Sequence, residues 1–140
     1  MIEFISNGEQ ETYDFAFAMA RHAHGGDVIT LKGELGAGKT VFGKGFAAAL
    51  GITDEITSPT FTIMNQYEGA ALRLCHIDAY RLGSGAEAYD AGLCDYIGEE
   101  NTVCLIEWAE NIASVLPENA IRVEILYVDE NTREIKVYDK

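Results

Sequence analysis

The chain has 140 residues, 48% of them hydrophobic, and its 23 acidic and 10 basic residues give a formal net charge of −13 at pH 7. This length suits a single domain over residues 1–140 with its own core. The charge argues against independent binding of nucleic acid, because it repels phosphate backbones, and it would suit a basic protein partner, although acidity also serves solubility. Because the sequence has no signal-peptide pattern and no stretch apolar enough to span a bilayer, we expect a cytoplasmic protein without membrane contact.

The first half of the sequence predicts a helix, a strand, a glycine-rich loop and a second helix. Glu9 to His24 has apolar residues at helical spacing and stops at two glycines, and Val28 to Leu31 is a short apolar strand. Thr40 to Leu50 has an apolar helical face. Its two internal glycines, Gly43 and Gly45, each cost about 1 kcal/mol relative to alanine, so we interpret them as sites of close packing on the sheet.

The loop Gly33 to Thr40 reads Gly-Glu-Leu-Gly-Ala-Gly-Lys-Thr and matches the P-loop pattern G-x-x-x-x-G-K-[ST] in its required context of strand and helix. Its glycines let successive N–H groups turn toward phosphate oxygens at the positive end of the following helix. Lys39 should reach the β- and γ-phosphates of a bound nucleotide, and the Thr40 hydroxyl should ligate Mg²⁺. The loop residues expected to contact ATP or ADP are Glu34, Leu35, Gly36, Ala37, Gly38, Lys39 and Thr40.

The second half predicts two antiparallel hairpins and one central strand, with helical stretches between them. With the P-loop, this order predicts an α/β fold of the P-loop NTPase type, a three-layer sandwich with a mixed parallel and antiparallel sheet. The segments are a hairpin of Phe61 to Glu68 and Ala71 to Asp78, a helix at Ala86 to Tyr96, the central strand Thr102 to Trp108, a helix at Ala109 to Val115, and a hairpin of Ile121 to Val128 and Glu134 to Tyr138.

Two acids end apolar strands, as the metal-binding acid of a P-loop enzyme does. Asp78 follows Leu72 to Ile77, and Glu107 follows Val103 to Ile106. One acid could hold Mg²⁺ and the other could orient the attacking water, and the sequence does not order these two catalytic roles.

A further segment, Thr57-Ser58-Pro59-Thr60-Phe61, follows the P-loop helix, where related NTPases place a switch that senses the γ-phosphate. Its hydroxyls could complete the Mg²⁺ shell. An ordinary Ser-Pro turn leading into a strand explains the same residues equally well.

Four segments together resemble the TsaE (YjeE) family, in order and spacing, over nearly the whole chain. They are Gly33 to Thr40, Ser58 to Phe61, His76-Ile77-Asp78-Ala79-Tyr80-Arg81-Leu82, and Ile106-Glu107-Trp108. Glu34 stands where the family often has Asp, a position that contributes mainly backbone. The resemblance implies a bacterial protein that binds ATP and Mg²⁺ and engages TsaD and TsaB. Its ATP hydrolysis would support repeated turnover of the complex that makes threonylcarbamoyladenosine in tRNA.

The resemblance also implies residue roles. Thr40 and Glu107 would be Mg²⁺ ligands, with Asp78 close to the metal and the γ-phosphate, and Thr60 would be the switch residue. The residues expected beside the nucleotide from outside the loop are Asn7, Glu9 and Arg133.

Three other motif residues are left outside the predicted site. We expect His76 on the opposite face of its strand from Asp78, and Trp108 as a half-buried core indole rather than a residue beside the site. Arg81 could stabilise charge in the transition state or meet a partner, but a surface or capping role explains this residue at least as well.

Other functions of P-loop proteins remain as alternatives. A small-molecule or nucleotide kinase is the main one, although only five arginines are present and no cluster of them could form a lid. A GTPase switch lacks an Asn-Lys-x-Asp segment that would read guanine. The remaining alternative is an interaction module with a vestigial nucleotide site.

Overall fold

The computed structural model of the chain describes residues 1–34, 37–57, 59 and 63–138. Within these ranges the chain forms seven strands in one sheet, three α helices and two short 3₁₀ segments. The strands are β1 Ile2–Ser6, β2 Val28–Gly33, β3 Met64–Glu68, β4 Arg73–Asp78, β5 Thr102–Glu107, β6 Ile121–Asp129 and β7 Thr132–Tyr138. The helices are α1 Glu9–Ala20, α2 Lys39–Ala49 and α3 Gly85–Asp90, and the 3₁₀ segments are Leu93–Asp95 and Ala109–Val115.

The strand order across the sheet is β1-β7-β6-β2-β5-β4-β3. Strands β6, β2, β5 and β4 run parallel to one another, whereas β1, β7 and β3 pair antiparallel with their neighbours. This mixed sheet confirms the predicted α/β class, and both predicted hairpins are present. Strand β5 lies between β2 and β4, and all six of its residues are buried, as predicted for a central strand.

Side-chain alternation along β5 divides the interior into two cores. Val103 and Leu105 belong to the core beneath α1 and α2, whereas Cys104 and Ile106 belong to the core beneath α3 and the 3₁₀ segments. Because alternate residues of a strand point to the same face, Glu107 lies on the side of α2. The strand that builds the core thus also presents an acid to the helix that follows the P-loop.

The local elements differ from the sequence predictions in four places. The helix predicted over Glu9 to His24 ends at Ala20. The sequence predictions missed the edge strand β1, which pairs only with β7 at the far end of the chain. The helix predicted over Ala86 to Tyr96 ends at Asp90, because Gly92 adopts a left-handed conformation with φ 84°, and a 3₁₀ turn follows it. The second predicted helix, Ala109–Val115, is a kinked 3₁₀ segment.

Among the described residues, none of the helices is long and apolar enough to cross a membrane.

The two glycines of α2 have different neighbours. Gly43 faces the sheet as predicted, and a Cβ there would lie 3.9 Å from Leu105 Cδ2, an ordinary contact. The prediction was wrong for Gly45, which packs against α1: a Cβ there would overlap the carbonyl oxygen of Tyr13. Backbone approaches backbone at Gly45, so the two helices cannot both keep their positions if a side chain is added.

We therefore expect Gly45→Ala to lower the free energy of unfolding by about 2 kcal/mol or more, through overpacking between α1 and α2. Gly43→Ala is the matched control on the same helix. It should be neutral or should stabilise by up to about 1 kcal/mol, the difference in helix propensity. Urea denaturation of both variants measures this, and equal stability of the two would contradict the helix contact at Gly45.

Candidate functional site

The P-loop joins β2 to the N-terminus of α2. The Ala37 N–H donates to the carbonyl of Glu34 at 2.9 Å, and Gly38 precedes the helix in a left-handed conformation with φ 107°. In the described part of the loop, no side chain caps the first turn of α2, and that turn contains no acid. Its first N–H groups and the positive end of the helix dipole therefore suit a phosphate. Leu35 and Gly36 lie outside the described residues, so their predicted contacts stay predictions.

A buried cluster of charged and polar side chains lies beside the loop. Glu107 Oε1 is 3.3 Å from Lys39 Nζ, and Glu107 Oε2 is 2.7 Å from His76 Nε2. The side chains of His76, Glu107 and Lys39 are only 4%, 9% and 17% exposed. Burial raises the pKa of Glu107, but the hydrogen bond and charge of His76 and the charge of Lys39 outweigh it and hold that pKa below its ordinary value of 4.5. Glu107 is therefore an ionised carboxylate at neutral pH.

The second candidate acid, Asp78, is directly opposite Glu107 in the register of β4 and β5. The Ala79 N–H donates to the Glu107 carbonyl at 3.0 Å, which joins the two strand ends. Asp78 is half-buried, and its Oδ1 accepts the Tyr80 N–H at 3.0 Å. The structure thus brings both predicted acids together at the carboxyl ends of β4 and β5. Of the two, Glu107 contacts the P-loop lysine.

Of the two predicted threonines, the structure describes Thr40 but not Thr60. Thr40 is exposed at the second residue of α2, next to Lys39. Thr60 lies outside the described residues, so its switch role is still a prediction. Both the N–H and the carbonyl of Thr57, which is described, lie 3.3 Å from the Tyr67 hydroxyl of β3.

The start of α1 and strand β7 place two predicted residues beside the loop. Glu9 and Arg133 line a cavity of about 200 Å³ together with Ala37 and Gly38. Arg133 Nε donates to the Ala37 carbonyl at 3.1 Å, and its guanidinium stacks 4.5 Å from the Tyr127 ring centroid. Asn7 precedes this cavity in sequence and is exposed, and its N–H donates to Glu11 Oε1 at 3.1 Å. The structure therefore brings Glu9 and Arg133, rather than the Asn7 side chain, to the loop.

The prediction that His76 points away from Asp78 is wrong. Residues two apart in a strand share a face, and His76 and Asp78 both lie on the side of β4 that faces α2. The signal was therefore in the sequence: a histidine two positions before a strand-end acid belongs to the same side of the sheet.

Trp108 lies beside the site and not, as the sequence predicts, in the core. Its side chain is 42% exposed, and its ring lies 5.0 Å from that of Tyr80. The residue has φ 58°, a left-handed conformation that is unusual for a bulky side chain and turns the chain directly after Glu107. Trp108 and Lys39 line one cavity of about 660 Å³ between the 3₁₀ segment Ala109–Val115 and β6. An exposed aromatic pair therefore borders the site.

The donor set can be compared with the needs of ATP and Mg²⁺. In the described ranges, no group of three or more His, Cys, Asp or Glu side chains could hold a metal alone. Mg²⁺ in nucleotide sites usually takes one or two carboxylates, together with phosphate oxygens and water. Thr40, Glu107 and Asp78 near an uncapped helix N-terminus fit that requirement, and the arrangement suits a metal that arrives with a nucleotide.

Comparison with known proteins gives consistent results. The family model described as "Threonylcarbamoyl adenosine biosynthesis protein TsaE" matches residues 6–135. The tRNA threonylcarbamoyladenosine biosynthesis protein TsaE of Bacillus subtilis is 45% identical over 126 residues, covering 90% of this chain and 78% of the relative. The protein of the same name from Treponema pallidum is 41% identical over 133 residues, covering 95% and 97%. The crystal structure of Bacillus subtilis YdiB superposes with a TM-score of 0.84 at 38% identity, covering 99% of this chain and 84% of that one.

Proposed function

The chain belongs to the TsaE family, which acts in the biosynthesis of threonylcarbamoyladenosine in tRNA, and we propose that it is a Mg²⁺-dependent ATPase. It hydrolyses ATP slowly on its own and docks to the TsaD and TsaB proteins in the cytoplasm. The observation that carries the proposal is the contact between the P-loop lysine and a buried strand-end carboxylate, Lys39 Nζ to Glu107 Oε1 at 3.3 Å. This contact links a phosphate-binding group at the start of α2 to a metal-binding group at the end of β5.

In this proposal each side chain has a distinct task. Lys39 exchanges its contact with Glu107 for the phosphates of ATP, and the N–H groups at the start of α2 hold the phosphate oxygens. Thr40 and Glu107 would hold Mg²⁺, which would supply positive charge to the phosphates, and Asp78 would orient the attacking water. Thr60 is proposed as the switch residue that senses the γ-phosphate.

The cavity beside Arg133 offers space for the part of the nucleotide beyond its phosphates. Because Arg133 is bonded to the Ala37 carbonyl, its guanidinium is held at the loop rather than in solvent. We assign the neighbourhood of Asn7, Glu9 and Arg133 to the nucleotide beyond its phosphates, with Leu35 and Gly36 completing the phosphate loop.

Two surface features support docking to a protein partner. The formal charge of −13 favours a basic partner surface over direct contact with tRNA. Tyr80 and Trp108 are both exposed, and each closely follows one of the acids, Asp78 and Glu107. A partner that contacts this aromatic pair would touch residues joined directly to the site, and exposed aromatic side chains are frequent anchors of interfaces.

We expect the purified protein to hydrolyse ATP slowly and to be stimulated by TsaD and TsaB. Trp108→Ala should raise the partner concentration needed for half-maximal stimulation by about tenfold or more, the usual cost of losing an aromatic anchor. Steady-state hydrolysis with titrated TsaD and TsaB measures this, and nucleotide affinity should change by less than about threefold.

Tyr89→Ala is the matched control, because Tyr89 is an exposed aromatic residue on α3 that does not line the cavity beside Lys39. Equal effects of the two substitutions would contradict a docking role for Trp108. Rapid consumption of ATP without partners, with the γ-phosphoryl group transferred to a metabolite rather than to water, would instead identify a kinase.

A further inference from the structure

His76 is a buried polar residue without a role in the function proposed above. Its Nε2 lies 2.7 Å from Glu107 Oε2, and its side chain is 4% exposed. An ionised carboxylate can only accept hydrogen bonds, so Nε2 carries the proton and donates it. The other ring nitrogen, Nδ1, is buried and has no partner among the described residues. Within the described part of the chain, the His76 ring therefore hydrogen-bonds to Glu107 alone.

The two contacts of Glu107 use different oxygens. Lys39 contacts Oε1, and His76 contacts Oε2. The histidine comes from β4 and the lysine from α2, so they hold the carboxylate from two separate elements. Loss of either contact would leave the other in place.

A nucleotide would remove one of these contacts. Phosphate oxygens compete with Glu107 for Lys39, and a carboxylate that is 9% exposed would then depend on its remaining donor. Without that donor, the carboxylate would be free to rotate or to move toward water.

We propose that His76 is a positioning residue, which holds Glu107 through Oε2 and keeps Oε1 directed at the P-loop after Lys39 has turned to the nucleotide. This role rests on the proposed function, since it prepares Glu107 to receive Mg²⁺ with the nucleotide. Groups that orient a metal ligand in this way typically change metal affinity by about 10- to 100-fold when they are replaced.

The test compares two replacements of similar size. His76→Gln can place an amide N–H near the position of Nε2, whereas the shorter side chain of His76→Asn reaches only the position of Nδ1. The affinity for a non-hydrolysable ATP analogue is measured by calorimetry with and without Mg²⁺. The ratio of the two affinities reports how well the metal is held, independently of hydrolysis.

We expect His76→Asn to reduce this Mg²⁺-dependent gain in affinity by about tenfold or more, and His76→Gln to stay within about threefold of wild type. A purely structural histidine would affect both variants alike in melting temperature and leave the ratio unchanged. If His76→Asn showed the same increase in affinity with Mg²⁺ as the wild type, the positioning role would be overturned, but the proposed function would not. A wild type that does not bind the analogue, or whose affinity does not depend on Mg²⁺, would overturn the proposed function and this inference with it.

If His76→Asn does not fold, the proposal can be tested on the wild-type protein. Nuclear magnetic resonance of the ring nitrogens should show a hydrogen-bonded Nε2–H of His76 in the free protein, which persists when Mg²⁺ and the analogue bind. Disappearance of that signal on binding would overturn the proposal, because the histidine would then have released the carboxylate.

Discussion

Replacing Lys39 with alanine is expected to weaken the binding of ATP by about 100-fold, because a charge-assisted hydrogen bond contributes about 1.5–3 kcal/mol. The loss has a second source in this protein. Lys39 Nζ lies 3.3 Å from Glu107 Oε1, so its removal leaves a negative carboxylate beside the phosphates without that counter-charge. Calorimetric titration with a non-hydrolysable ATP analogue measures the effect.

The control for this experiment is Lys44→Ala, which removes an exposed lysine from the same helix and should leave affinity within about twofold. Combining Lys39→Ala with Glu107→Gln should recover part of the loss when Mg²⁺ is absent, because the repulsive charge is then removed as well. If Lys39→Ala and Lys44→Ala bound the analogue equally well, the assignment of the loop as the phosphate site would fail.

Glu107→Gln is expected to reduce Mg²⁺-dependent ATP hydrolysis by about 100-fold or more, since the variant keeps the shape of the side chain but loses the charge that would hold the metal. Binding of the nucleotide without Mg²⁺ should weaken by less than about threefold or should improve, because Lys39 is released from its carboxylate partner. Hydrolysis assays and metal-free titrations of the same preparation separate the two effects.

Glu100→Gln removes an exposed acid just before β5, at the end of the strand opposite to Glu107, and serves as the control. Asp78→Asn should also reduce hydrolysis more than binding, since binding depends mainly on the loop. Wild-type hydrolysis in Glu107→Gln would remove this residue from the catalytic machinery, and the same result in Asp78→Asn would remove Asp78.

Most of the strands could be predicted from local patterns. Alternating and continuous apolar runs are local signals, and they located the two hairpins and the buried strand β5. Strand β1 was missed because its stability comes from pairing with β7, and Ile2 opposite Val137 is a contact that no local window contains. The helix predicted over Ala86 to Tyr96 was too long because the composition is helical but Gly92 is left-handed.

The parts of the site could be predicted to a similar degree. Lys39 and the two strand-end acids followed from motif and pattern. The face predicted for His76 was wrong, because residues two apart in a strand share a face and His76 is two positions before Asp78. Trp108 was expected in the core because aromatic residues usually are buried, but the left-handed turn after Glu107 directs it outward. The helix neighbour of Gly45 could not be predicted, because it depends on how α1 lies across α2.

The sequence by itself determined the P-loop pattern from Gly33 to Thr40, six of the seven described strands, and the acids at two strand ends. Each of these is a matter of local composition and spacing. Only the tertiary structure decided that β5 lies between β2 and β4, and hence that Glu107 contacts both Lys39 and His76. Strand order depends on which nonlocal pairings bury the most apolar surface together, so residues as distant in sequence as His76 and Glu107 become neighbours only when the sheet assembles.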